Sequence, residues 1–197
     1  LNAEVVAVAD CYFPRCEEAA RLIPGGEKWA KFPNYRAMLE KCKLDAVFVE
    51  TTTHARVLAC IHVAQSGRDV YCEKPMSLYV TEGRALVEAI KKTGRLLQVG
   101  SQQRSMPINQ FGNKLVQDGK LGKIKDVIVF NFWPPDVWYP RSPEPVPAGL
   151  DWNEWCNQTD LRPYSKRLQF AWSLYAEYDG GGQSWGVSGC GTHSLDQ

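Results

Sequence analysis

The 197-residue sequence has no apolar run long enough to cross a bilayer, no CxxC pair and no cluster of basic residues, and each absence removes a class of function. The longest apolar stretches, such as Ala46–Val49 and Val127–Phe130, fall far short of the roughly 20 residues a membrane span needs. The net charge of +1 gives no electrostatic footprint for nucleic acid, because a phosphate-binding surface needs clustered Lys and Arg. Seven cysteines stand at irregular spacing without a zinc-type His/Cys grouping, so they read as reduced thiols and the expected compartment is the cytoplasm. No internal repeat occurs, nor a G-x-G-x-x-G turn, nor an initiator Met or signal peptide before Leu1. The expectation is a chain cut at both ends, any export signal lying outside it.

What is present is a globular balance, 44% apolar and 23% charged, which excludes a disordered chain. Glu4–Ala9 reads as a Val-rich strand ending at Asp10, followed by a helix over Pro14–Leu22. Asp45–Glu50 reads as a second strand, and Thr53 as the N-cap of an amphipathic helix over His54–Gln65. Asp69–Cys72 leads through Glu73-Lys74-Pro75 to a helix over Val80–Lys92 that Gly94 ends, and Arg95–Val99 is the next strand. Short apolar strands alternating with helices predict an α/β fold, a Rossmann-like parallel sheet lacking its first strand. After a helix over Ile108–Gln117, Lys123–Phe132 reads as a long alternating strand, and Trp133–Pro147 as a rigid loop with six prolines. The prediction is a Rossmann-like domain over 1–120 and the start of a second α/β domain over 121–197, built on an open, mainly antiparallel sheet.

In an open parallel sheet, ligands bind beyond the carboxyl ends of the strands. Asp10 stands where a carboxylate accepts hydrogen bonds from the adenosine ribose, and capping the following turn is an equally good reading of it. Three polar segments share the same edge: Thr51, Thr52, Thr53 and His54; Glu73, Lys74 and Pro75; and Gly100 to Arg104, including Gln102. Taken alone, His54 is better read as an ordinary first-turn histidine and Arg104 as a surface cation. Lys74, between an acid and a proline at a strand end, is held in one place, and partial burial beside a nicotinamide suits it to acid–base work; an ordinary surface Glu-Lys pair is the other reading.

The runs VAVAD, DAVFVETTTHA, Glu73-Lys74-Pro75 and QVGSQQR follow one another as in the Gfo/Idh/MocA oxidoreductases, which this chain resembles over nearly its whole length. The resemblance implies hydride transfer between NAD(H), with NADP less favoured, and a sugar or polyol carbon. It implies Lys74 as signature lysine, Asp10 as cofactor acid, and Thr51, Thr52, His54, Glu73 and Gln102 around the cofactor. A glycine-rich stretch at 180–182 and Gly191-Thr192-His193 resemble the family's later motif, which maps the catalytic histidine onto His193. Many polyol dehydrogenases of the family carry an aspartate where this chain has Gly189. Asp196 is expected to be a structural helix-start residue and not a catalytic one. The implied assembly is a homodimer or homotetramer, without nucleic acid, membrane or metal. Two alternatives stay open: a lyase or glycosidase using bound NAD without net oxidation, and an inactive dinucleotide-binding regulator.

Overall fold

Residues 3–129, 141–179 and 190–196 are described by a computed structural model. The first half is built of parallel strands joined by helices. Strand β1 (Ala7–Ala9) leads through α1 (Pro14–Leu22) to β2 (Ala30–Phe32), which pairs with it in parallel, Ala7 opposite Ala30. Helix α2 (Tyr35–Lys41) precedes β3 (Ala46–Val49), and α3 (Thr53–Gln65) carries the chain to β4 (Asp69–Cys72). Helix α4 (Val80–Thr93) then leads to β5 (Leu97–Val99), and α5 (Pro107–Gln117) follows. These last three strands form one parallel sheet in the order β3-β4-β5, with Val49 opposite Cys72 and Cys72 opposite Val99. The two sheets are separate, and Phe48 on β3 is 62% exposed beside the free edge.

Up to residue 117 the strands and helices expected from sequence are therefore present, shorter by one to three residues at some ends. The structure adds β2 and α2, which sequence patterning did not reveal. Strand β2 is only three residues with a lysine at its centre, too short for an alternation to register. Helix α2 had a readable start, because the Asn34 side chain caps it by accepting from the Arg36 N–H at 2.8 Å. The N-cap of α3 is Thr52, one residue earlier than expected.

Helix α3 is not amphipathic in the way its sequence suggested. Residues 53–57, with Ala59, Cys60, Val63 and Ala64, are all buried, so little of the helix faces water. One side packs on β3, β4 and α4 through Val49, Val57, Val63, Val70 and the fully buried Leu86. Closing this layer over Leu86 stabilises by roughly 1.5–3 kcal/mol for that side chain alone.

The other side of the α3 N-terminus is covered by the chain after residue 141. There α6 (Trp152–Cys156), α7 (Lys166–Phe170) and α8 (Ala176–Asp179) gather an aromatic core of Trp152, Trp155, Tyr164, Tyr175 and Tyr178. Trp152 and Trp155 stack with ring centres 4.4 Å apart. This segment also docks on the turn after β1: Leu150 bridges Tyr12, and the Asp151 N–H donates to the Cys11 carbonyl at 2.8 Å.

One expected element does not form. Over residues 123–129, the described part of the expected strand Lys123–Phe132, the chain has no regular structure, and residues 130–132 lie outside the described residues. A strand exists only when its N–H and C=O groups are paired, and among the described residues no strand runs beside 123–129. Val127 and Ile128 are more than three-quarters exposed as a result. The expected open antiparallel sheet is thus not seen among the described residues, where the second part is helical. The Trp- and Pro-rich loop falls mostly at 130–140, outside them.

Candidate active site

The carboxyl end of β4 supplies the first group. Glu73, Lys74 and Pro75 follow Cys72 directly; Pro75 is buried, while Glu73 and Lys74 are half-buried. The Glu73 carboxylate folds back, one oxygen accepting the Lys74 N–H at 2.9 Å. The other lies against Gly100 at the end of β5, where an added Cβ would stand 2.7 Å from it and 3.2 Å from the Tyr71 hydroxyl. The absence of a side chain at Gly100 leaves this space to the Glu73 carboxylate.

His193 enters from the far end of the chain, on α9 (Cys190–Leu195), and is 9% exposed. Burial holds its imidazole below the usual histidine range, and the Lys74 ammonium pushes the same way, opposed by the carboxylates of Glu73 and Asp196. The two residues expected to share the proton chemistry thus lie within electrostatic reach of each other, 119 positions apart in sequence.

Asp196 follows α9 and grips Arg104. The Arg104 Nε and one terminal nitrogen meet its two oxygens at 2.6 and 2.9 Å, a fork-on-carboxylate geometry. This bond holds the Asp196 carboxyl below its usual range, with help from Ser101. It ties the turn after β5 to the helix that carries His193, a role for Arg104 that sequence reading did not give. Gln102, in the same turn, is exposed.

The loop after β3 divides in two. Thr51 and Thr52 are half-buried at the strand end, the Thr51 hydroxyl bonding the Thr52 carbonyl. Thr53 and His54 turn inward. Thr53 donates to Asp179 at 2.8 Å, and His54, fully buried, lies between the Trp155 and Tyr178 rings with centres 4.8 Å away. Its Nε2 lies 2.8 Å from the Trp155 carbonyl. A side chain enclosed in this way has no face for a cofactor, so the geometry gives His54 a packing role.

At the end of β1, Asp10 caps the following turn, one of the two readings its sequence position allowed. One carboxylate oxygen caps the turn by accepting the Tyr12 N–H at 2.8 Å, while the other is 3.8 Å from Arg15. That second oxygen keeps lone pairs for another donor. Next to it the Cys11 thiol is pushed up to about 12, by burial first and by Asp10 second, which keeps it protonated and unreactive. Cys11, Phe13, Pro33, Leu150 and Trp152 border an open cleft of about 790 Å³ whose walls include neither Lys74 nor His193. Among the described residues no cluster of His, Cys, Asp and Glu could hold a metal, and no helix is long and apolar enough to cross a membrane.

This arrangement has clear relatives. Residues 2–101 match the model of the Gfo/Idh/MocA oxidoreductase family, described as an NAD-binding Rossmann fold. The chain is 34% identical over 122 residues to scyllo-inositol 2-dehydrogenase (NAD(+)) of Bacillus subtilis, covering 62% of this chain and 35% of that protein. It is 30% identical over 154 residues to myo-inositol 2-dehydrogenase of Thermotoga maritima, covering 77% and 41%. Among solved structures, the WlbA dehydrogenase of Bordetella pertussis, in complex with NADH and UDP-GlcNAcA, superposes with a TM-score of 0.57 at 28% identity, over 61% of this chain and 36% of that one. The chain thus spans between about a third and two-fifths of the length of these relatives. The shared half holds β1 to β5 and the Glu73-Lys74-Pro75 turn, and on that match the chain belongs to the Gfo/Idh/MocA oxidoreductases.

Proposed function

We propose that the protein containing this chain is an NAD-dependent dehydrogenase of a sugar, polyol or related carbohydrate. The observation that carries the reading is that His193, buried on α9, lies within electrostatic reach of Lys74, which follows β4. The residues suit a dinucleotide: a carboxylate ends β1, one oxygen on the Tyr12 N–H and the other 3.8 Å from Arg15, and a lysine within electrostatic reach of a buried imidazole follows β4. When bound, the nicotinamide supplies the acceptor for a hydride. Lys74 stabilises the oxygen of the reacting hydroxyl as its proton leaves, and His193, kept neutral by burial, takes that proton. Glu73 holds the Lys74 backbone, and the Arg104–Asp196 pair holds the helix of His193. Thr51, Thr52 and Gln102 line the same strand ends and are proposed cofactor contacts. We place the domain boundary near Gly119–Lys123, after α5 (Pro107–Gln117), and propose a homodimer or homotetramer in the cytoplasm. The named activities of the inositol dehydrogenases and the NADH complex of the WlbA structure support this reading over a non-redox lyase or a regulator.

Steady NADH production from a polyol panel by the complete protein tests the proposal; cofactor that copurifies and never turns over would overturn it. Preference between dinucleotides is a separate expectation. Asp10 repels a 2′-phosphate and accepts from a 2′-hydroxyl, so NAD should bind more tightly than NADP. Asp10→Ser should narrow the ratio of the two dissociation constants by about tenfold, or ~1.4 kcal/mol. Arg15, 3.8 Å from Asp10, is the competing influence. Tighter NADP binding by the unaltered protein would remove Asp10 from the cofactor site.

A further inference from the structure

Arg56 is the one described arginine whose guanidinium is spent on the backbone of both loops that frame Lys74. It sits on the first turn of α3 and is 4% exposed. One terminal nitrogen donates to the Pro75 carbonyl in the Glu73-Lys74-Pro75 turn, and the other donates to the Thr51 carbonyl in the loop after β3. Its Nε is buried without a hydrogen-bond partner, and no carboxylate lies within ion-pair distance of it among the described residues. Burial works against its charge, with Cys72, Cys60, Glu73 and Asp179 only partly compensating.

Burying a cation without a direct counter-ion is costly. A helix surface residue with no positional duty would not be expected to carry that cost, since an apolar side chain would fill the same space at no electrostatic cost. What the arginine does that an apolar residue cannot is hold two carbonyl oxygens at once with a rigid planar fork. Both carbonyls belong to strand-end turns, where the backbone has no ladder partner to fix it. We propose that Arg56 is a positioning residue: it clamps the turns after β3 and β4 together and thereby fixes Lys74 for proton transfer. This rests on the dehydrogenase reading for its catalytic consequence but not for the clamp.

The geometry separates Arg56 from its neighbours in kind. Its guanidinium is spent on two backbone carbonyls, so its loss acts on placement. Lysine keeps the charge but, as a single point donor, cannot span two fixed carbonyls with the same geometry. A misplacement of the order of 1 Å in a reacting group costs about 100-fold in rate.

The test uses the complete protein with Arg56→Lys and Arg56→Ala. Hydrogen exchange should quicken at least tenfold in the segments 51–53 and 73–78 of both variants, with the rest of the Rossmann-like unit unchanged. The kcat of Arg56→Lys should fall between ten- and a hundredfold while KM for NAD stays within about threefold, and millimolar guanidinium should restore part of the Arg56→Ala rate. Unchanged exchange in both segments overturns the clamp. Exchange that quickens evenly through the whole unit overturns it too, because Arg56 would then serve only general stability. If the unaltered protein transfers no hydride, the dehydrogenase reading fails while the exchange measurement still decides the clamp.

Discussion

Replacing Lys74 with methionine in the complete protein is expected to lower kcat at least about 100-fold, the usual range for losing general acid–base catalysis, while NAD affinity changes little. Methionine keeps much of the side-chain length and removes the charge and the proton. Oxidising a hydroxyl puts negative charge on its oxygen as the hydride leaves, and a cation aimed there contributes most in the transition state. The backbone of Lys74 is fixed by Glu73, by Pro75 and by β4 behind it, so the loss falls on chemistry and not on loop shape. His193→Ala should also lose rate, and the double variant should lose less than the product of the two single losses, since paired groups in one relay are not additive. If Lys74→Met leaves kcat within a few-fold of the unaltered enzyme on its true substrate, Lys74 is a cofactor-positioning residue and the proton is handled elsewhere.

How much of this site the sequence reveals depends on the range over which each contact acts. Lys74 and the strand-end edge were legible because strand, turn and helix signals are local: Val-rich runs, Gly94 with its left-handed φ of +65°, and the proline after Lys74. The pairing of Arg104 with Asp196 spans 92 residues, and no local pattern announces it. Arg56 was hidden for another reason. An arginine on the first turn of a helix looks solvated until the fold shows that Trp155, Tyr178 and their neighbours roof over that end of α3. The same roof explains His54, whose sequence position suggested the cofactor edge and whose ring is in the core. The strand over 123–132 marks the opposite case. Its alternation is real, but alternation specifies only a face, and a strand needs a neighbour to pair with.

The roof over α3 carries the second large expectation, a loss of stability in mild acid that centres on His54. The Trp155 carbonyl is an acceptor, so Nε2 must carry the proton that meets it and the neutral ring leaves Nδ1 bare. Nδ1 is buried without a hydrogen-bond partner. Protonation would place a new N–H there with no acceptor, inside aromatic walls and near the buried Arg56 cation. Burial accordingly lowers the His54 pKa to about 4, with Arg56 adding to it and the Trp155 carbonyl opposing. In the unfolded chain the same histidine titrates near 6.5. Between those values the unfolded state binds a proton that the folded state refuses, so stability is complete above pH 6.5, falls as pH drops toward 4, and stops falling below that. At 1.36 kcal/mol per pH unit the loss from this one group comes to about 3 kcal/mol. Denaturant unfolding from pH 7.5 to 4.5 measures it against His54→Gln, whose amide nitrogen reaches the Trp155 carbonyl from nearly the same place and does not titrate. The variant should be less stable at pH 7.5, having lost the ring contacts with Trp155 and Tyr178, yet its curve should be flatter by about 3 kcal/mol. His62 and His193, also held low, titrate in both proteins and cancel from the comparison. Parallel curves would mean that His54 accepts a proton in the folded protein, and the aromatic roof would then have to open around neutral pH.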